Sequence, residues 1–203
     1  MKVKVDLDDT LCSFCEPWCD WLYINKFTDR LLELKDITSY DFFSKNYGEE
    51  ARKFFLTDPH FLYGTIIKPF TGAKEFFSSI SKKHDVEIVT LATKQDTKDA
   101  KIKFVQEHFN TDKIKFIEKL NEKYIYTKDS ILIDDYPVHI FNHIKHNKKG
   151  GIIFNKNNNG WSKLSNHHDI VDDLIIKSSD LFVSSNYDSL EWLIKNLEIE
   201  YGI

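Results

Sequence analysis

The sequence predicts an α/β protein: a doubly wound parallel sheet with a small helical insertion near its start. Three observations carry this. Short apolar runs at 3–5, 86–91, 131–133 and 152–154 are rich in Val, Ile and Leu, as buried strands are. Stretches of helical periodicity separate them, and such alternation means a parallel sheet covered on both faces. Polar residues, mostly acidic, stand where several of these runs end, which is where open parallel sheets bind ligands.

Met1 to Val5 is the first strand, and it runs into Asp6-Leu7-Asp8-Asp9-Thr10-Leu11. Three carboxylates in four positions repel one another. A fold tolerates that around positive charge, and a hard divalent cation suits oxygen ligands of this kind. Residues 11–24 read as a helix, with Leu11, Cys15, Trp18 and Leu22 on one stripe. Residues 25–69 are aromatic-rich and irregular. Helices are expected at 29–34 and 49–56, with connections at 37–43 and 58–69. No strand pattern shows there. Residues 12–69 therefore read as a mainly helical insertion, leaving 1–11 and 70–203 as the α/β core.

Thr71 is expected to cap a helix to about Lys83 that buries Ala73, Phe76, Phe77 and Ile80. The strand at 86–91 follows. Asp96 is expected to cap a helix with Ala100, Phe104, Val105 and Phe109 on one side. A short strand at 114–117 precedes the cleanest one, 130–133, which ends in Asp134-Asp135. Pro137 suits the first turn of a helix carrying Val138, Phe141 and Ile144, closed by Gly150-Gly151 before a strand at 152–154. Lys2, Lys4 and Glu87 interrupt strands that should be almost continuously apolar, and are expected at strand starts or sheet margins. The Asn-rich run 155–160 reads as a turn, and 155–180 has no clear pattern. A last helix, about 188–197, turns Leu190, Leu193, Ile194 and Leu197 inward.

At 203 residues the chain suits one sizeable domain with an insertion. Its net charge of −4 argues against an extended nucleic-acid surface or an anionic-membrane surface. No apolar run approaches the ~18 residues of a membrane span, and no signal-peptide apolar region is read at the start. The cysteines at 12, 15 and 19 argue against a disulfide framework, so the expected setting is cytoplasmic. A homodimer is left open.

The polar strand ends form a set. If the strands ending in Asp6 and Asp8, in Thr90, and in Asp134-Asp135 are neighbours, four carboxylates and a hydroxyl meet in one crevice. That layout suits Mg²⁺ with a substrate phosphate. A phosphate also needs cationic side chains, and Lys123 is the best placed, with Lys119 and Lys128 as alternatives. Two other clusters read as structure. Cys12, Cys15 and Cys19 lie along one helix side with no fourth ligand nearby, so core packing is expected. His139, His143 and His146 share a helix with Ile140, Phe141 and Ile144, which suggests an ordinary half-buried helix. His167-His168 reads as loop surface.

Asp6-Leu7-Asp8-Asp9-Thr10, Thr90, Lys123 and Asp134-Asp135 resemble, in order and spacing, the four motifs of the haloacid dehalogenase (HAD) superfamily of phosphotransferases. Within it, the stretches Asp6 to Phe14, Asp36 to Phe42, Pro59 to Gly72 and Ile131 to Pro137 resemble the 5'(3')-deoxyribonucleotidases. The superfamily likeness spans about residues 1–155; residues 165–185 fit nothing in it. The resemblance implies a Rossmann-like core and a Mg²⁺-dependent 5'-nucleotidase that hydrolyses nucleoside monophosphates. It implies Asp6 as nucleophile, Asp8 as acid/base, and Thr90 and Lys123 as binders of the phosphoryl oxygens. It further implies Mg²⁺ held by Asp6, the Asp8 backbone carbonyl and Asp134, with Asp135 supporting through water. Asp9, where many relatives have Gly, reads as a turn residue. Residues 12–69 would cap the crevice, with Phe14, Trp18, Phe42, Phe43, Phe61 and Tyr63 as the aromatics available to the base; two or three of them are expected to face it and the rest to pack the cap itself. The rival readings are a HAD phosphatase for another ester, including a nucleic-acid end, and a catalytically silent nucleotide- or protein-binding module.

Overall fold

The structure is a computed structural model and describes residues 1–39, 41–156, 160–163 and 180–201. The chain opens with β1 (Lys2–Val5). Two short strands, β2 (Cys12–Ser13) and β3 (Lys68–Pro69), pair antiparallel at the two ends of the stretch between them. The others are β4 (Asp85–Leu91), β5 (Ile114–Ile117), β6 (Ile131–Asp134), β7 (Gly151–Phe154) and β8 (Leu181–Ser184). They join β1 in one parallel sheet, ordered β5-β4-β1-β6-β7-β8. By position in the chain that is the doubly wound order 3-2-1-4-5-6. The winding reverses at β1, so a crevice opens at the carboxyl ends of β4, β1 and β6.

The strands form because both their faces are covered. Val3, Val5, Ile131, Leu132, Ile133, Ile152, Ile153 and Phe154 are all buried. Lys4 is a correction to the reading from sequence. It lies at no margin: β1 is central, and Lys4 stands opposite Glu87 in the register. The two form an ion pair that is only partly exposed, so the charges cancel where they interrupt the apolar run. Lys2 does sit at its strand's start and is exposed.

The labelled helices are α1 (Cys15–Ile24), α2 (Phe42–Tyr47), α3 (Ala73–Ser81), α4 (Gln95–Phe109), α5 (Lys123–Tyr126), α6 (Pro137–Asn147) and α7 (Tyr187–Tyr201); the helix expected at 49–56 forms as a 3₁₀ turn, Glu49–Arg52, running into an α-helical turn, Lys53–Leu56. The predicted apolar faces of α3, α4 and α7 are buried as expected. The starts and stops differ, for local reasons. α1 begins at Cys15 because the Asp9 carboxylate accepts from the N–H groups of Phe14 and Cys15, both at 3.0 Å, freeing 12–13 to pair as a strand. No helix forms at 29–34. Arg30 reaches Asp36 at 2.7 Å instead, and a single 3₁₀ turn, Leu34–Asp36, follows Glu33. Asp58 accepts from the His60 N–H at 2.9 Å and starts the turn Pro59–Phe61. That turn continues into a wide π turn, Leu62–Ile66, where a plain connection was expected. α3 starts after Gly72, whose φ of 86° suits glycine. α4 is preceded by Lys94 and already includes Asp96. α6 is closed by Lys148, in the left-handed conformation at φ 54°, and Gly151 opens β7. A Cβ there would come within 2.6 Å of the Ile140 side chain, so the missing side chain lets α6 lie close. β8 falls beyond the last strand the sequence reading found.

Cys12, Cys15 and Cys19 are buried free thiols. On α6, His139 and His143 are buried and His146 stacks on Tyr124 with ring centroids 4.1 Å apart. His167-His168 and most of the 155–180 stretch lie outside the described residues. The His143 Nδ1 lies 2.8 Å from the Thr127 hydroxyl and 3.1 Å from the Asn147 amide. Burial pushes its pKa down from 6.5 to about 4. The unfolded chain therefore takes up a proton that the folded chain refuses as pH falls from 6.5 towards 4. Stability should drop across that window, on the order of 2–3 kcal/mol from this group alone. Urea unfolding at several pH values checks it: His143→Asn should flatten the slope below pH 6.5, and an unchanged slope would assign the loss to other groups.

Candidate active site

β1 delivers Asp6 and Asp8 to the crevice, β4 delivers Thr90, and β6 delivers Asp134 and Asp135. Lys123, at the start of α5, reaches in from the side and is 1 % exposed. Its ammonium pairs with Asp6 and, at 2.6 Å, with Asp134. Lys119 is exposed and paired with Glu122 at 3.0 Å, and Lys128 is exposed. Of the three candidate lysines, only Lys123 enters the cluster.

Asp134 is held on both oxygens. One accepts from the Tyr136 N–H at 2.9 Å; the other meets Lys123 and the Nδ1 of His139, the latter at 3.0 Å. The other nitrogen of His139 faces the Leu120 carbonyl at 2.9 Å, which fixes the ring. Asp135 meets the Thr10 hydroxyl and the Trp161 Nε1–H, the latter at 2.5 Å. Asp9 is turned away from this group. Its φ of 55° and its capping bonds to α1 agree with a turn role.

Asp8 faces different partners. Lys101 of α4, 2 % exposed, donates to its Oδ2 at 2.5 Å. The same ammonium donates to the Thr90 hydroxyl oxygen and the Leu91 carbonyl, both at 2.8 Å. With its oxygen accepting from Lys101, the Thr90 hydroxyl donates to Asp8 Oδ2 at 3.4 Å. The Tyr63 hydroxyl donates to Asp8 Oδ1 at 2.8 Å.

The aromatic candidates separate. Trp18 and Phe43 are buried, stacked on each other at 3.6 Å in the same apolar cluster that holds the strands of the sheet, and have no open face. That corrects their assignment as base contacts: they serve packing. Tyr63 is also buried, with its hydroxyl committed to Asp8, so it too has no face to stack on a base. Phe14 and Phe42 are half-buried, and Phe61 is 50 % exposed.

Four site contributors were missed from the sequence. Lys101 had a signal, since it interrupts the apolar face marked by Ala100, Phe104 and Val105. His139 lay next to the aspartates but among apolar neighbours. The Tyr63 hydroxyl contact and Trp161 had none, because no periodicity links them to the strand ends.

The electrostatics show surplus negative charge. Burial raises the Asp6 carboxyl to about 6, against the pull of Lys123. Burial, with Asp134 and Asp6 adding to it, lifts Asp135 well above the usual carboxylate range. Burial alone would raise Asp134 as well, but the charges of His139 and Lys123 outweigh it and hold it below that range. Lys123 stays firmly protonated, since Asp134 and Asp6 outweigh its burial. Lys123 thus gains from these pairs while Asp6 loses, because one ammonium serves several carboxylates. Asp6, Asp134 and Asp135 each offer an oxygen within 4.8 Å of the others. Three buried hard donors with unbalanced charge fit a divalent cation.

A family model described as "5' nucleotidase, deoxy (Pyrimidine), cytosolic type C protein" matches residues 1–181. No match is found among curated proteins. Among solved structures, the chain is similar to a HAD family hydrolase from Deinococcus radiodurans determined with phosphate and sodium. The TM-score is 0.64 at 11% identity, covering 98% of this chain and 96% of that one. A haloacid dehalogenase-like hydrolase from Xanthomonas campestris gives 0.61 at 12% identity, covering 99% and 93%. The HAD hydrolase YfnB from Bacillus subtilis, determined with magnesium, gives 0.58 at 12% identity, covering 95% and 97%. These neighbours share the HAD-type fold. With the family match spanning nearly the whole chain, the chain belongs to the cytosolic type C family of 5'-deoxynucleotidases.

Proposed function

We propose that the protein is a Mg²⁺-dependent, cytoplasmic 5'-nucleotidase that converts nucleoside monophosphates, deoxyribonucleotides first among them, to nucleoside and phosphate. The observation that carries this is the meeting of Asp6, Asp8, Thr90, Lys123, Asp134 and Asp135 at one end of the sheet, in a member of this family.

Asp6 is the nucleophile. Its carboxylate attacks phosphorus, the bond to the sugar oxygen breaks, and an aspartyl-phosphate remains. Asp8 gives its proton to the departing oxygen and, now ionised, takes one from the water that attacks the phosphoryl group. The phosphorus–Asp6 bond then breaks, releasing phosphate and both carboxylates in their starting forms. Thr90 turns its hydroxyl from Asp8 Oδ2 to donate to a phosphoryl oxygen, and Lys123 supplies positive charge beside Asp6, where charge must be stabilised during transfer. The residues suited to hold Mg²⁺ are Asp6, the backbone carbonyl of Asp8 and Asp134, with Asp135 acting through water. When bound, the ion offsets negative charge on the transferring group. Residues 12–69 act as the cap, with Phe14, Phe42 and Phe61 nearest to serving the base. Each base–aromatic contact is worth about 1–3 kcal/mol.

The test is phosphate release from purine and pyrimidine 5'- and 3'-monophosphates, ribo and deoxy, with Mg²⁺ or with EDTA. Turnover of at least one 5'-monophosphate is expected, lost in EDTA and restored by excess Mg²⁺. No release from any monophosphate would overturn the function. Undiminished release in EDTA would overturn the metal.

A further inference from the structure

Asp8 is served from two sides. Lys101 and Thr90 belong to the α/β core, while Tyr63 comes from the stretch between β2 and β3. Its ring is 4 % exposed and lies in the seam between that stretch and the core. Phe14 lies 6.4 Å from it, Phe104 of α4 5.7 Å, and the Lys101 ammonium 5.5 Å from its centroid. Tyr63 stands on the wide turn Leu62–Ile66, just before the chain re-enters the core at β3. Such turns are rare and frequently mark functional sites.

The two oxygens of Asp8 are treated differently. Oδ2 meets the Lys101 ammonium and, at 3.4 Å, the Thr90 hydroxyl, both from the core. Oδ1 meets a tyrosine hydroxyl, which can donate or accept. The hydroxyl and the ammonium thus hold the two carboxyl oxygens from different elements, one from the stretch between β2 and β3 and one from α4, and together they set the plane of the carboxyl.

We propose that Tyr63 is a positioning residue for the acid/base step: a hydroxyl carried on the insertion that fixes Asp8 so that its proton reaches the leaving oxygen. This rests on the function proposed above. It also ties the acid's geometry to the seating of the insertion on the core. Packing alone would require the ring but not the hydroxyl.

Tyr63→Phe separates the two, because it keeps the ring and removes the oxygen. The readout is leaving-group dependence in the first turnover. A nucleoside leaves as an alkoxide and needs a proton; p-nitrophenolate leaves as a stable anion and does not. First-turnover nucleoside release should slow by about 10–100-fold, a part of what general-acid catalysis is worth. Burst release of p-nitrophenolate from p-nitrophenyl phosphate and the KM for the nucleotide should stay near wild type. Equal slowing of both substrates, or of neither, would overturn the positioning role and leave the nucleotidase reading standing. A wild-type enzyme inactive on both would instead remove the reading on which this inference rests. If Tyr63→Phe fails to fold, Tyr63→Met is read on the same pair of substrates.

Discussion

Replacing Asp6 by asparagine is expected to abolish turnover while leaving the fold in place. An amide cannot form the aspartyl-phosphate, so the rate on any nucleotide substrate should fall by about 10⁴-fold or more, as for other single nucleophile deletions. The fold argument is separate. The backbone N–H of Asp6 donates to the Ile133 carbonyl at 2.9 Å, and that bond does not depend on the side chain. Lys123 keeps Asp134 as a partner. One of several crowded carboxylates disappears, and burial had already pushed that carboxyl up to about 6. In EDTA at pH 7 the variant should therefore unfold within about 1 kcal/mol of wild type or above it. Phosphate release and urea unfolding on the same preparation check both halves. Full activity in Asp6→Asn would exclude the aspartyl-phosphate route.

How much of this was legible follows from what each signal depends on. The sheet was legible because buried parallel strands are apolar along their length, and because the strand ends are chemically unlike their interiors. Asp6, Asp8, Thr90 and Asp134 each follow such a run directly, so the sheet order alone gathers them. Lys123 lies on α5, outside that logic. Its position was legible only through the spacing of the resembled motifs, in a segment where Lys119 and Lys128 competed.

What was missed depends on contacts between distant parts of the chain. Lys101 breaks the apolar face of α4, but only the packing of that face towards Asp8 gives the break a meaning. Trp161 reaches Asp135 from beyond β7, and Gly160 beside it fits closely under the backbone of Lys35 and Ile37, where a Cβ would come within 2.3 Å of a carbonyl oxygen. No period within either segment encodes that meeting. The stretch between β2 and β3 was hardest to read because its packing is aromatic. Trp18 stands on the legible stripe of α1, but Phe43 and Phe54, which stack near it, come from short helices where neither the 3.6-residue nor the two-residue pattern develops. The same composition made Trp18 and Phe43 look available to a ligand when they are needed for packing.

Lys123→Met should be the most damaging change to the cluster that leaves every carboxylate in place. Methionine matches the aliphatic stem but supplies no charge. Asp6 and Asp134 would lose their ammonium, leaving Asp134 with its contacts to His139 and the Tyr136 N–H. Removing one member of a buried ion pair costs about 3–5 kcal/mol, because the partner charge stays behind. Part of that is recovered if Asp6 or Asp135 protonates, which their raised pKa values favour. A loss of about 2–4 kcal/mol in EDTA is the expected net result, with turnover reduced by about 10²–10³-fold for want of charge on the transferring group. Added Mg²⁺ provides the sharper comparison. A cation among Asp6, Asp134 and Asp135 would replace the missing counter-charge, so its effect on stability should exceed that in wild type. Thermal unfolding of both proteins across a Mg²⁺ series measures this. A larger Mg²⁺-dependent rise in Lys123→Met, without recovery of turnover, would separate the two jobs of Lys123: balancing the buried carboxylates and stabilising phosphoryl transfer. Equal rises in the two proteins would mean that the cation and the ammonium do not offset the same charges.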